Sequence, residues 1–164
     1  MKPVLENNFI ELLDANQNLI HKVCRIYTND KDSHKDLFQE ISIQLWKSYK
    51  NFRGDAKFTT WMYKVALNTA ITLYRKNKKH HHTQDVDLYQ NKLEYKEYDD
   101  TETQQLKLIY QAIDHLSDIE KGLVFLYLED KDYREIAELI GISVVNARVK
   151  MNRIKNKLKA ILNP

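Results

Sequence analysis

The residues best suited to chemistry lie between Phe52 and Lys79, where a polar loop, aromatic side chains and a run of cations follow one another. The loop Arg53–Lys57 holds the first glycine of the chain, Gly54, flanked by charged side chains. The segment closes with the basic residues Arg75, Lys76, Lys78 and Lys79. Cations hold phosphates, and aromatic rings with a nearby amide hold unstacked bases. The segment is therefore typical of a nucleic-acid-binding surface.

An amphipathic helix is predicted to present this surface, over Phe58–Lys78. Its periodic residues recur at intervals of three and four, which is helical spacing; they are Trp61, Val65, Asn68, Ile71 and Arg75. Two helices are predicted before it, the first over Phe9–Thr28. The second is expected to be capped by Ser33 and to run to about Lys50. Together the three helices predict one compact helical lobe.

A second candidate site lies at Tyr133–Leu158, which has the pattern of a helix-turn-helix. A short helix over Tyr133–Ile140 is expected to end at Gly141, which can adopt a positive φ, and Ser143 is expected to cap a helix that continues to Leu162. The inward face of that helix is predicted to carry Ala147, Met151, Ile154 and Leu158. The other face carries Asn146, Arg148, Val149, Lys150, Asn152 and Arg153.

The composition of this second face suits the major groove of DNA. Arginine and lysine can donate to guanine or to phosphate, asparagine can pair with adenine, and Val149 can contact a thymine methyl group. A plain helical hairpin with a solvated charged face is the alternative interpretation.

Residues 80–104 lose the apolar periodicity and are predicted to be an acidic flexible linker. Residues 80–105 carry 2 Lys/Arg against 7 Asp/Glu, whereas residues 1–79 carry 14 against 8. Helix is expected to resume over about Glu102–Leu116, and Ser117 with Glu120 predicts a capping box for the next helix. The adjacent histidines His80–His82 have no acidic or sulfur ligand at zinc-like spacing, so neither a metal site nor a cofactor is expected.

Composition predicts an all-α protein of two small helical domains. With Gly 3 and Pro 2 the chain has few of the turn-forming residues that a β-rich fold needs. Its single cysteine, Cys24, excludes an internal disulfide and is expected to be buried. No signal peptide and no apolar run of membrane-spanning length is recognisable, so we expect a soluble, cytoplasmic chain.

The motifs of both lobes resemble those of bacterial extracytoplasmic-function (ECF) sigma factors. Within Phe52–Lys79, the order Phe-Arg-Gly-Asp, Phe-x-Thr-Trp-hydrophobic-Tyr, Asn-Thr-Ala and Tyr-Arg-Lys resembles region 2 of the family. The helix-turn-helix ending Asn-Ala-Arg-Val-Lys-x-x-Arg resembles region 4. The resemblance implies a protein without a catalytic site that binds core RNA polymerase and directs it to selected promoter DNA. An anti-sigma factor is the regulator that the family implies.

The resemblance also implies domains and residue roles. Residues 1–79 would form region 2, which melts and reads the minus-ten element, and residues 105–164 would form region 4, which reads the minus-thirty-five element. The segment that docks on the clamp of the largest polymerase subunit is matched by Asp36, Gln39, Glu40 and Trp46. The minus-ten contacts would be Arg53, Lys57, Phe58, Thr60, Asn68, Thr69, Thr72, Arg75 and Lys76.

Within this set, the loop Arg53–Thr60 would capture an extruded non-template base, with Asn68 at the edge of its pocket. Trp61 is expected to belong to the core more than to a stacking platform. Val145 stands where the family often has glycine or asparagine, so its side chain is not expected to contact DNA.

Two other classes of protein account for fewer of these features. A stand-alone helix-turn-helix regulator explains Tyr133–Leu158 but assigns no role to the loop, nor to Asp36 and Glu40, which share a helix face one turn apart. It also predicts a dimerisation seam, and no sustained heptad is found. A nuclease would need clustered acids or a histidine-containing metal site, and Asp55 is the only acid in the loop.

Overall fold

The computed structural model describes residues 2–81 and 104–164, with side chains at 7–77 and 104–164; these residues form eight α-helices and no strand. The N-terminal half contains α1 (Lys2–Ala15), α2 (Gln17–Tyr27), α3 (Lys31–Tyr49) and α4 (Phe58–His81). The C-terminal half contains α5 (Gln104–Ile113), α6 (Asp118–Leu128), α7 (Tyr133–Ile140) and α8 (Val144–Leu162). The all-α prediction is confirmed. Most of the predicted linker, 82–103, lies outside the described residues.

Two N-terminal helices begin or end at other residues than predicted. The single helix predicted over Phe9–Thr28 is wrong, because the chain breaks at Asn16, which has φ −121° and ψ 18°. The Asn16 amide donates to the carbonyl of Leu12 at 2.8 Å, and such local bonds compete with the helical ladder. Ser33 is not the cap of α3. Asp30 is the cap, since its carboxylate accepts from the Ser33 N–H at 2.7 Å.

The start and stop signals predicted for the C-terminal helices are confirmed. Ser117 accepts from the Glu120 N–H at 3.3 Å while the Glu120 carboxylate accepts from the Ser117 N–H at 2.9 Å, which completes the capping box. Gly141 ends α7 at φ 87°, a left-handed conformation that favours glycine. Ser143 then caps α8 by accepting from the Asn146 N–H at 3.1 Å. Helices α7 and α8 therefore form the predicted helix-turn-helix.

The core of the N-terminal half lies between α2, α3 and α4, which pack on one another. Of the periodic residues that predicted α4, Ile71 is buried, Trp61 and Val65 are half-buried, and Asn68 and Arg75 are exposed. The fully packed side of this helix instead carries Met62, Tyr63, Ala66, Leu67, Ala70 and Ile71. Cys24 is buried, as predicted. None of the helices in the described ranges is long and apolar enough to cross a bilayer.

The two halves pack against each other through a close approach of α6 to α2 and α4. A Cβ atom on Gly122 of α6 would lie 3.1 Å from Ile140 Cδ1, 3.2 Å from the Tyr27 hydroxyl and 3.9 Å from Ile71 Cδ1. The helices therefore pack closely at Gly122, where a larger side chain would make its neighbours shift. The Tyr27 hydroxyl also donates to the backbone carbonyl of Asp118 at 2.8 Å. One hydrophobic cluster consequently includes residues of both halves.

Charged side chains lie at both ends of this contact. At one end Lys121 is only 2% exposed, and its ammonium lies 4.5 Å from the centroid of the Tyr74 ring. At the other end Glu129 accepts from the Tyr63 hydroxyl at 3.1 Å and pairs with Lys22 at 3.1 Å. The contact is therefore apolar in its middle and joined by charged groups at its edges.

Candidate nucleic-acid interface and neighbouring acidic face

The loop between α3 and α4 encloses a small pocket with an aromatic wall and a charged rim. Its cavity of about 200 Å³ is lined by Asn51, Phe52, Arg53, Asp55, Ala56 and Trp61. Gly54 turns the loop at φ 79°, where a residue with a Cβ would be strained. The cavity is open to solvent and lies below the roughly 300 Å³ at which pockets for whole small molecules begin.

An aromatic cluster supports this pocket from behind. The Trp61 ring centroid lies 5.1 Å from that of Phe52, 5.3 Å from that of Phe58 and 6.2 Å from that of Tyr49. These separations are in the range of favourable ring packing. Trp61 is half-buried, packs on the core and also lines the pocket.

The exposed face of α4 continues away from the pocket. Asn68 is exposed and comes two helical turns after Trp61, about 10 Å along the axis on the same side. The hydroxyl of Thr69 donates to the Val65 carbonyl at 2.8 Å, and that of Thr72 donates to the Asn68 carbonyl at 2.7 Å. These bonds occupy the hydroxyl protons and leave the oxygen lone pairs as acceptors. Among the other predicted contacts, Arg53, Lys57 and Lys76 are exposed, and Phe58 and Thr60 are half-buried.

Arg75 is engaged within the protein itself. Its guanidinium pairs with the carboxylate of Asp118, in the first turn of α6. The Arg75 side chain is 60% exposed, so the ion pair lies at the edge of the contact between the two halves. A phosphate that binds Arg75 would have to compete with Asp118, a residue that the sequence analysis did not single out.

Helix α8 presents the predicted DNA-reading face to solvent. Ala147, Met151 and Ile154 are buried and hold the helix against the rest of the C-terminal half. The outward residues Asn146, Arg148, Val149, Asn152 and Arg153 are exposed, and Lys150 is half-buried. The Arg148 guanidinium lies 5.7 Å from the centroid of the Tyr133 ring in α7. This cation–π contact restrains Arg148 at the side of the exposed face.

Helix α3 carries the predicted acidic face. Asp36 and Gln39 are exposed, and the half-buried Glu40 accepts from the Gln44 amide at 3.0 Å. Trp46 is half-buried and packs on Phe9 with ring centroids 5.1 Å apart, so it is partly committed to the core.

An apolar side chain on this acidic face was missed from the sequence. Ile43 is 45% exposed and follows Asp36 by two helical turns, which places it on the same side of α3. A lone apolar residue between polar ones was the only signal available, and it is a weak one.

A histidine pair lies between α2 and α3. His21 Nδ1 and His34 Nε2 are 2.9 Å apart, and the His21 ring stacks on Phe38 with centroids 4.6 Å apart. Burial, followed by the charges of His21 and Arg25, lowers the pKa of His34 to about 4. His34 is therefore neutral at neutral pH.

Within the described ranges no three His, Cys, Asp or Glu side chains come together as metal ligands. The histidines His80–His82 lie where side chains are not described.

Two known protein families match this chain. Residues 12–80 match the Sigma-70 region 2 family, and residues 106–158 match the family Sigma-70, region 4. The chain is 26% identical over 136 residues to RNA polymerase sigma factor YlaC of Bacillus subtilis (strain 168), covering 80% of this chain and 79% of that protein. It is 24% identical over 156 residues to ECF RNA polymerase sigma factor SigM of the same organism, covering 93% of this chain and 94% of that protein.

Solved structures share the fold. One is the sigma factor RpoE in complex with the anti-sigma factor NepR from Bartonella quintana, with TM-score 0.71 and 16% identity over 94% of this chain and 96% of that one. Another is CnrH in complex with the cytosolic domain of CnrY, with TM-score 0.66 and 16% identity over 96% of this chain and 89% of that one. The matched families cover the pocket, the acidic face and the helix-turn-helix, and the chain belongs to the ECF family of RNA polymerase sigma factors, which direct transcription initiation.

Proposed function

We propose that the chain docks on core RNA polymerase through α3 and uses two separate surfaces to recognise the two promoter elements. The observation that carries this proposal is that one chain combines a small pocket with an aromatic wall and a helix-turn-helix whose outward face is polar and basic. The first suits an unstacked base and the second suits duplex DNA. The chain itself contributes no catalytic group, because phosphodiester chemistry belongs to the polymerase.

The docking surface is the outward side of α3. Gln39 and Glu40 follow Asp36 by about one turn, and the three side chains offer carboxylates and an amide to a basic partner surface. Ile43 extends this side with an exposed apolar group, so the surface offers a small apolar contact beside charged ones. Trp46 supports the helix from the side and stiffens the surface through its packing on Phe9.

The minus-ten element would be read as single-stranded DNA. Extruding a base costs a few kcal/mol of stacking, which stacking on Phe52 or Trp61 and polar contacts at the rim would offset. The exposed cations Arg53 and Lys57 would hold the flanking phosphates. The strand would continue along α4 over Asn68, Thr69, Thr72, Arg75 and Lys76, assisted at the loop by Phe58 and Thr60.

The minus-thirty-five element would be read as duplex by α8. The reading residues are Asn146, Arg148, Val149, Lys150, Asn152 and Arg153. In this scheme residues 1–79 act as region 2 and residues 105–164 as region 4, connected by residues 80–104.

An anti-sigma protein would hold the chain inactive in the cytoplasm, where the polymerase works. The support is that RpoE and CnrH, which share this fold, were both solved in complex with regulatory proteins, NepR and the cytosolic domain of CnrY. The shared fold makes the same kind of partner the first candidate for this chain.

Run-off transcription with core RNA polymerase tests the proposal. We expect protein-dependent transcripts whose promoters share a pair of upstream elements. Asn68→Ala should impair open-complex formation more than initial binding, with Asn77→Ala as a matched control on the same helix. Arg148→Ala should weaken duplex recognition by about 1–3 kcal/mol, with Arg134→Ala as its control.

Two outcomes would contradict the proposal. Equal effects of Asn68→Ala and Arg148→Ala on closed-complex binding would refute the division of labour between the two surfaces. Tight promoter binding without polymerase, together with no new transcripts in its presence, would instead establish a stand-alone regulator.

A further inference from the structure

Two valines are the central groups of the outward face of α8. Val145 is 71% exposed and Val149 is 42% exposed. An α-helix turns by about 100° per residue, so side chains four positions apart point within about 40° of each other. Both valines point away from the buried side of the helix, which Ala147 and Met151 occupy. They form a continuous apolar stripe one turn long, the valine pair.

Polar and cationic side chains flank the valine pair on both sides. Arg148 and Asn152 lie on one side, and Asn146 and Arg153 lie on the other. Scattered single apolar residues on a surface carry no meaning, but an apolar pair at the centre of a cationic face complements a polyanion that also has an apolar feature. In the major groove of DNA that feature is the C5-methyl group of thymine.

We propose that Val145 and Val149 together read two thymine methyl groups in the minus-thirty-five element. This inference rests on the proposed function of α8, and it makes Val145 a specificity-determining residue, although comparison with the family gave no expectation of DNA contact there. The occupant of the stripe is therefore duplex DNA, recognised through thymine at two positions.

The position of Val145 in the helix favours such a contact. Ser143 caps α8, so Val145 is the second residue of the helix, and the N-terminal residues of a recognition helix are those that contact base edges. Side chains one turn apart lie about 5–6 Å from each other, and successive bases rise by about 3.4 Å. The two methyl groups accordingly belong to base pairs that are adjacent or separated by one.

Arg148 sets the register of this contact. Its guanidinium is restrained over the Tyr133 ring, 5.7 Å from the centroid, and so approaches DNA from the side of the valine pair. From there it reaches a phosphate or a guanine next to the thymines. Specificity would come from the methyl groups and affinity from the flanking cations.

Replacing thymine by uracil tests the inference, because it removes only the methyl group and keeps the base pair. The experiment uses the reconstituted holoenzyme and a promoter identified by run-off transcription, with each thymine of the minus-thirty-five element replaced in turn. We expect closed-complex affinity to fall about fourfold at each of two positions, the effect of one buried methyl group. Thymines outside the element serve as the control.

Valine variants assign each methyl group to its side chain. Val145→Ala should abolish the uracil effect at one position and Val149→Ala at the other. Both side chains are exposed and alanine is a better helix former, so these variants keep their fold. Asn156→Ala, farther along the same exposed face, should leave both uracil effects unchanged.

Three results would overturn the inference, and they are distinguishable. Uracil without effect at every position, while Arg148→Ala still weakens promoter recognition, would refute methyl reading and leave the proposed function intact. Uracil effects that persist in both valine variants would assign methyl reading to another group. Absence of any polymerase-dependent transcript would refute the proposed function together with the inference.

Discussion

Replacing Lys121 by methionine tests whether a buried cation holds the two halves together. The Lys121 ammonium lies 3.4 Å from the Ile26 carbonyl oxygen, 3.6 Å from Asp114 Oδ1 and 4.5 Å from the Tyr74 ring centroid. Ile26 and Tyr74 belong to α2 and α4, whereas Lys121 lies in the first turn of α6. The cation therefore contacts a carbonyl oxygen and an aromatic ring of the N-terminal half. It also contacts a carboxylate of the C-terminal half, to which it belongs.

These contacts determine how much the Lys121→Met substitution should lower the free energy of unfolding. Removing one partner of a buried ion pair costs about 3–5 kcal/mol when the other charge is left uncompensated. Asp114 is 26% exposed, and the Asn29 amide, with its nitrogen turned toward Asp114, donates to both carboxylate oxygens at 3.0 Å. These features reduce the cost, while the lost cation–π contact with Tyr74 adds about 1 kcal/mol. We expect Lys121→Met to lower the free energy of unfolding by about 2–3 kcal/mol at pH 7.

Urea unfolding monitored by circular dichroism measures this loss. Lys157→Met is the matched control, because Lys157 is 46% exposed and pairs with Glu120 at 3.4 Å on the surface. Such a pair is worth less than about 0.5 kcal/mol. The double variant Lys121→Met with Asp114→Asn should recover about 1 kcal/mol, since no carboxylate then remains without its cation.

The pH dependence gives a second readout with a definite sign. Burial holds the pKa of Asp114 above its ordinary value, although the Lys121 charge opposes this rise. Removing Lys121 raises the pKa of Asp114 in the folded chain further, so the folded variant binds a proton there even more readily relative to the unfolded chain. The loss of stability should therefore shrink as the pH falls through the folded pKa of Asp114. Equal, pH-independent losses in the Lys121 and Lys157 variants would refute this account of the contact.

Three further perturbations probe the other sites. Asp118→Asn frees Arg75 from its ion pair and should strengthen binding of a single-stranded minus-ten oligonucleotide up to about fivefold, as measured by fluorescence anisotropy; unchanged affinity would contradict the competition. Because the pKa of His34 is lowered to about 4, the unfolded chain binds more protons between about pH 6.5 and 4, so stability falls as pH falls through that window. His34→Gln should flatten this dependence by on the order of 1–2 kcal/mol, after allowance for solvent screening of the half-buried ring, and an unchanged pH profile of urea midpoints would count against the His21–His34 pair. Gly54→Ala forces a side chain into φ 79° and should cost about 1–2 kcal/mol while slowing open-complex formation; a wild-type rate would show that the loop turn does not shape the pocket.

Local chemistry explains why the helix-turn-helix was predictable. Ser117, Gly141 and Ser143 act through bonds to backbone groups within four residues, so their roles can be read from spacing alone. The start of α3 in the N-terminal half was harder to predict, because two residues there could act as the cap. Asp30 and Ser33 are both good caps three residues apart, and spacing does not decide between them. The difference is that the Asp30 carboxylate reaches the Ser33 N–H.

The contact between the halves could not be predicted, because its members are ordinary residues in sequence. Lys121 follows two acidic residues in the polar first turn of α6, and Gly122 in sequence is simply a poor helix former. Arg75 and Asp118 are 43 residues apart, and no periodicity relates them. Only the packing of α6 on α2 and α4 explains why a lysine is buried and why the glycine beside it has little room for a side chain.

The packing of the halves also constrains the order of events on the promoter. The acidic face of α3 lies outside the contact, since α3 packs on α2 and α4 and keeps Asp36 and Gln39 exposed. Docking on polymerase through α3 can thus begin while the halves are together. A DNA phosphate can pair fully with the Arg75 guanidinium only after the ion pair between Arg75 and Asp118 has broken. A ligand that binds only the form with the broken ion pair shifts the equilibrium toward that form. Under the proposed function, docking through α3 does not depend on separation of the halves, and promoter DNA that binds Arg75 does so at the expense of the Arg75–Asp118 ion pair.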